Sequence, residues 1–130
     1  MHTDWHQIHF LHGVSTELLS QLQGLAEESQ YAKGEIISVQ GDVANFLYLL
    51  LEGRVEVVQT DSEGFEHHLA TLQQGEIFGE RALLMGERRS ADIIAAGSVR
   101  VARIPWPQLR RLMQEQPLLY DNLCRRLAYQ

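Results

Sequence analysis

Cysteine is nearly absent from this sequence. Cys124 stands alone among 130 residues, so no intramolecular disulfide can form and a four-thiolate zinc or iron–sulfur centre is excluded. Lysine is equally scarce: Lys33 is the only one, and the other basic side chains are arginines. With a net charge of −6, the chain lacks the clustered positive surface that duplex binding requires, so nucleic acid is not expected as a partner of this domain alone. No apolar run approaches the roughly 18 residues of a membrane helix, the longest being Phe46 to Leu51. The start, Met1-His2-Thr3-Asp4-Trp5, has neither the basic opening nor the apolar stretch of a signal peptide. These absences predict a reducing, cytoplasmic setting without membrane insertion.

What is present is an ordinary globular balance, 45% hydrophobic and 22% charged. A chain of this length fits one domain, 1–130, and can bury about two-thirds of its unfolded surface without a disulfide or metal staple. The charge is unevenly placed: residues 1–65 hold ten acids against Lys33 and Arg54, whereas residues 66–130 hold seven acids against nine arginines. Arginine carries a planar fork suited to carboxylates and phosphates, so the acidic average excludes a polyanion more firmly than one small phosphate ligand.

The pattern reads as helix, then short strands, then helices. Ser15 suits the N-cap of a helix with Leu18, Leu19, Leu22 and Leu25 on one face. From Gly34 onward, Gly34, Gly41, Gly53, Gly64 and Gly75 punctuate β-rich pieces, the mark of an all-β sandwich or barrel. Asp61-Ser62-Glu63-Gly64 fits a hairpin tip between Val55–Gln59 and Glu66–Leu72, and Gly97-Ser98 separates a further pair, Ala91–Ala96 and Val99–Ile104. Pro107 can open a helix carrying Leu109, Leu112 and Met113. After Gln116-Pro117 a second stripe follows at Leu119, Leu123 and Leu127. The expected architecture is mainly β with flanking helices. A helical segment over 1–28 precedes a β-roll (a double-stranded, jelly-roll-like β-helix) over 29–105, and two helices occupy 106–130.

Residues 75–91 depart from their neighbours, being too long for a hairpin loop and too polar for a core strand. Gly79 permits close backbone approach, and Glu80 to Leu84 can form one helical turn whose free N–H groups would face an anion. Arg88 and Arg89 arrive from the far end of the segment. Amide donors and a guanidinium together suit one phosphate. Glu80 would repel a phosphate, but it makes sense if the ligand also offers hydroxyl donors, as ribose does. The Gly-x-x-x-x-Gly-Lys-Ser/Thr and Gly-x-Gly-x-x-Gly signatures of triphosphate and dinucleotide sites are absent.

Phe78-Gly79-Glu80-Arg81-Ala82-Leu83-Leu84 followed by Arg89-Ser90-Ala91 closely resembles the phosphate-binding cassette of cyclic nucleotide-binding domains, the type found in catabolite activator protein and in protein kinase A regulatory subunits. Phe10 to Leu19, Gly34-Glu35-Ile36-Ile37, Gly41-Asp42, Leu47 to Gly53 and Pro105 to Met113 resemble further landmarks in the same order, so the likeness covers residues 10–128. It implies that Glu80 accepts from the ribose 2′-OH, that Arg89 pairs with the cyclic phosphate, and that the amides of Ala82 and its neighbours bind phosphate oxygens. Phe78, Gly79, Arg81, Leu83, Ser90 and Ala91 complete the implied site, with Ser90 able to add a hydroxyl contact. Arg89 is preferred to Arg88 because it stands in register with Ser90-Ala91. Arg81 departs from the family, which usually has an apolar residue there. A lid from the last helix would mean Leu119, Tyr120, Leu123 or Leu127.

Other constellations read as structure. His2, His6, His9 and His12 share a face if the N-terminus is helical, but no acid or cysteine is spaced to complete a metal site, and Trp5, Ile8 and Leu11 would pack inward. His67-His68 are adjacent, whereas a metal-binding cupin spaces its pair by one residue. Cys124 reads as a small buried apolar group. No nucleophile–base pair stands out. The expectation is therefore a non-catalytic regulatory domain with no metal or cofactor. Its ligand is a cyclic mononucleotide, cAMP before cGMP, and its C-terminal helices move on binding and contact a second copy or an attached effector domain. The alternative is a ligand-free β-roll module that only dimerises or docks.

Overall fold

The computed structural model describes residues 5–128, with the backbone alone for His6, Leu127 and Ala128. Two 3-10 turns, Trp5–Gln7 and His9–Leu11, lead into α1 (Thr16–Leu25). The strands are β1 (Glu27–Tyr31), β2 (Ile36–Ser38), β3 (Phe46–Glu52), β4 (Val55–Thr60), β5 (Glu66–Leu72), β6 (Ile77–Phe78), β7 (Asp92–Ala95) and β8 (Val99–Pro105). Helix α2 (Glu80–Met85) interrupts them, and α3 (Trp106–Glu115) and α4 (Pro117–Ala128) follow.

The strands form two antiparallel four-stranded sheets, ordered β1-β8-β3-β6 and β2-β7-β4-β5. The run Phe46 to Leu51 is apolar throughout because β3 is covered on both faces. Leu47, Leu49 and Leu51 join the cluster beneath the helices, with Ile77, Leu83, Ala102 and Ile104. Tyr48 and Leu50 point the other way, into a second cluster between the sheets with Ile37, Val55, Phe78, Ile93, Val99 and Val101. The period of two thus serves two cores at once.

Helical packing follows the apolar stripes. Ser15 caps α1, its Oγ accepting from the Leu18 backbone N–H at 3.1 Å, and Leu18, Leu19 and Leu22 are buried. Leu109 and Met113 of α3 and Leu119 and Leu123 of α4 enter the same core. Trp5, Ile8 and Leu11 are buried as well, on two short 3-10 turns and the extended residue between them rather than on a continuous helix.

Three local expectations need correction. Val55–Thr60 and Glu66–Leu72 do form a hairpin, but β7 and β8 lie in different sheets, so Gly97-Ser98 carries the chain across the sandwich instead of turning it back. The strands begin at Glu27, two residues inside the expected helical segment 1–28: Glu27–Tyr31 lies at the sheet edge against β8, with Glu28 and Glu27 paired to Arg100 and Arg103. Cys124 is half-buried, not fully enclosed.

Candidate functional site

Segment 75–91 leaves the second strand of a short β3–β6 pairing and returns through Arg89 to the second sheet. Gly79 turns the chain with φ of 87°, a left-handed conformation that side-chain-bearing residues rarely adopt, and a Cβ there would collide with the Arg89 guanidinium. The turn therefore fixes both the start of α2 and the space that Arg89 occupies. From the other side, the Gly41–Asp42 turn clamps the Arg89 backbone: Arg89 N–H donates to Asp42 O, and Gly41 N–H donates to Arg89 O, each at 2.8 Å.

Arg89 is only 8% exposed. Its Nη1 donates to Gly79 O at 2.8 Å and its Nη2 to Phe46 O at 2.7 Å, while the guanidinium carbon lies 5.6 Å from the Tyr48 ring centre. Tyr48 in turn stacks on Phe78, with centroids 4.8 Å apart. The cation is thus braced by carbonyls and an aromatic face, without a carboxylate partner among the described residues. Burial pushes its pKa below the ordinary value, which Tyr48 and Glu80 oppose. It stays charged at neutral pH because guanidinium titrates far above that range.

Glu80, 2% exposed, opens α2. Burial pushes its carboxyl above the ordinary range; its own backbone N–H, Arg126 and Arg89 oppose the shift. Among the described residues its Oε2 has no hydrogen-bond partner. A buried acceptor without a donor is uncommon in folded proteins and needs an explanation.

Both side chains line one cavity of about 550 Å³. Its polar end is built from Gly79, Glu80, Arg81, Ala82, Arg89 and Ser90, and its apolar wall includes Val57, Leu69, Leu72 and Ile93. A phosphate-sized anion at Arg89, a hydroxyl donor at Glu80 and a flat apolar body against the strands would together complement it. Residues 28–116 match the family described as cyclic nucleotide-binding domain.

The chain belongs to the cyclic nucleotide-binding domain family. Among its relatives, the regulatory subunit of a cAMP-dependent protein kinase from Blastocladiella emersonii is 38% identical over 67% of this chain and 22% of that protein. The cyclic AMP receptor protein of Thermus thermophilus is 32% identical over 90% of this chain and 54% of that protein. The crystal structure of Thermus thermophilus catabolite activator protein superimposes with a TM-score of 0.83 at 32% identity, covering 92% of this chain and 56% of that one. The chain therefore spans about half or less of the length of these relatives, and the β-roll fold is shared with them.

Within this cyclic nucleotide-binding domain, Phe78, Gly79, Glu80, Arg81, Ala82, Arg89, Ser90 and Ala91 all line the cavity. Arg88 does not; it is exposed, with Nη1 donating to Gly41 O at 2.9 Å. Arg81 is exposed and lies 3.6 Å from Glu87. Leu83 also stays out of the lining, because its position on α2 turns it into the core beneath the helices, where it anchors the cassette. Leu119 and Leu123 are fully buried in that same core, and Tyr120 borders a separate groove between α2, α3 and α4. None of these three covers the cavity, and the Leu127 side chain lies outside the described residues. Among the described side chains of α4, Arg126 lines the cavity, and like Glu76 and the strand wall it carried no motif in the sequence. His67 bonds Asp61 at 2.8 Å and His68 bonds Thr71 at 3.0 Å, while His2 lies outside the described residues.

Proposed function

We propose that this domain is a non-catalytic sensor that binds a cyclic mononucleotide in the Arg89–Glu80 cavity, with cAMP preferred to cGMP, and that it signals through its C-terminal helices. One observation carries the reading: Glu80 and Arg89 are both buried at one cavity, yet no ion pair joins them among the described residues. A structural salt bridge would have closed the pair on itself. Instead each keeps capacity for a ligand of mixed character, with Arg89 for the cyclic phosphate and Glu80 for the ribose hydroxyl. The names of two relatives support cAMP as the first choice. A second-messenger ligand fits a cytoplasmic setting, and among the described residues no helix is long and apolar enough to cross a membrane.

Output through α4 is favoured by its placement. Arg126 lines the cavity, Asn122 on the preceding turn is tied to the N-terminal segment, and Leu118 and Tyr120 are exposed, which leaves them available to a second copy or an attached effector domain. Ligand affinity would have to differ between α4 positions for the signal to pass. Calorimetric titration of the chain with cAMP, cGMP and adenosine tests the proposal. One-to-one binding in the order cAMP, cGMP, adenosine is expected, with no loss of cAMP over hours. No heat and no thermal shift with any of the three would leave the ligand-free interaction module as the reading.

A further inference from the structure

Strand β3 sends alternate side chains into opposite cores, and Tyr48 falls on the face that looks between the two sheets, where it is buried. Its register partner on β6 is Phe78. The two rings are nearly parallel, with 2° between their planes and centroids 4.8 Å apart. Phe78 lines the cavity and is followed by Gly79, whose carbonyl accepts from Arg89 Nη1. The strand register that stacks the rings therefore also sets the start of the cassette beside the guanidinium.

Arg89 meets two opposing demands. A cation buried this deeply needs compensation for its lost water, yet a carboxylate partner would neutralise the charge that a phosphate is to meet. The carbonyls of Gly79 and Phe46 supply part of the compensation, engaging Nη1 and Nη2. The Tyr48 ring, with its centre 5.6 Å from the guanidinium carbon, supplies the rest. An aromatic face attracts a cation without neutralising it, and it takes none of the N–H donors in the plane of the fork. A competing partner is close at hand, because Glu80 lines the same cavity.

We propose that Tyr48 is a positioning residue for ligand binding: its ring, backed by Phe78, holds the Arg89 fork open toward the ligand's phosphate and off the Glu80 carboxylate. This rests on the cyclic-nucleotide reading above and adds to it the group that keeps the phosphate arginine available. The test is calorimetric titration of cAMP into the full chain carrying Tyr48→Phe, Tyr48→Leu or Tyr48→Met, each made in wild type and in an Arg89→Lys background. Tyr48→Phe keeps the ring and should bind within about twofold of wild type. Tyr48→Leu should bind about tenfold more weakly, as expected for losing a desolvated cation–aromatic contact. In the Arg89→Lys background the same change should cost less than about threefold, because lysine has no planar fork for the ring to orient. A tyrosine that only filled the core would cost the same factor in both backgrounds. That result, Tyr48→Leu binding like wild type, or Tyr48→Phe binding as weakly as Tyr48→Leu would overturn the proposal. If melting shows Tyr48→Leu to be unfolded, Tyr48→Met, whose unbranched chain fills irregular space, carries the same comparison. Where wild type binds cAMP and these comparisons fail, the cyclic-nucleotide reading stands without the positioning role; where wild type binds no cyclic nucleotide, both fall.

Discussion

Replacing Arg89 by alanine should separate the binding role of this residue from its structural one. The guanidinium donates to Gly79 O and Phe46 O and lies over Tyr48. Its loss orphans two carbonyl acceptors, at about 1 kcal/mol each, but it also relieves a desolvated charge. These effects partly cancel, so the melting temperature should fall by only about 5 °C. Binding has no such compensation. A cyclic phosphate left without its cation in a half-dry cavity should cost about 2–5 kcal/mol, a factor of roughly thirty to several thousand in Kd. Arg89→Lys should lie between, keeping a point charge and losing the fork that engages two carbonyls at once. Titration calorimetry gives the affinities, and thermal melting with and without nucleotide gives the stabilities. An Arg89→Ala protein that melts normally and binds cAMP within twofold of wild type would refute the phosphate assignment.

Gly79→Ala should destabilise by about 1–3 kcal/mol, since it forces a left-handed residue and drives a Cβ into the Arg89 guanidinium; a chemical melt would show it, accompanied by weaker cAMP binding. Because burial raises the Glu80 pKa above the usual 4.5, its ionised form is lost sooner as pH falls. Affinity for cAMP should therefore drop on acidification from neutral, binding should release protons there, and Glu80→Gln should flatten that dependence in titrations run in buffers of different ionisation heat. The raised pKa also means that ionising Glu80 opposes folding, so the apo protein should gain slightly in stability as pH falls through that range, opposite to the affinity. Asn122→Ala should release α4 from Phe10 O and His12 O, costing about 1–2 kcal/mol and raising hydrogen exchange in α4 more than in β3.

The parts legible in the sequence were those with short-range signals. Ser15 and the leucine stripe marked α1, the Asp61–Gly64 tip marked a hairpin, and the Glu80–Arg89 spacing marked the cassette. The start of β1 was not legible because Glu27 and Glu28 acquire meaning only opposite Arg103 and Arg100, more than seventy positions away. Gly97-Ser98 looked like a hairpin turn for the same reason: a turn dipeptide does not say whether its flanking strands join one sheet or two. In α4, apolar spacing identified Leu119 and Leu123 correctly as a stripe, but a stripe cannot tell which surface it will cover; here it covers the helical core. Arg126 was invisible for the converse reason, since one arginine among several gains a role only when the fold brings it to Glu76 and the cavity.

The most direct measurement is a crystal structure of this chain grown with excess cAMP. The account predicts nucleotide density in the cavity of about 550 Å³, with the cyclic phosphate on Arg89 and the ribose 2′-oxygen within hydrogen-bond distance of Glu80. Well-ordered side chains around a cavity without nucleotide, or Arg89 turned to bond Glu80 directly, would contradict it.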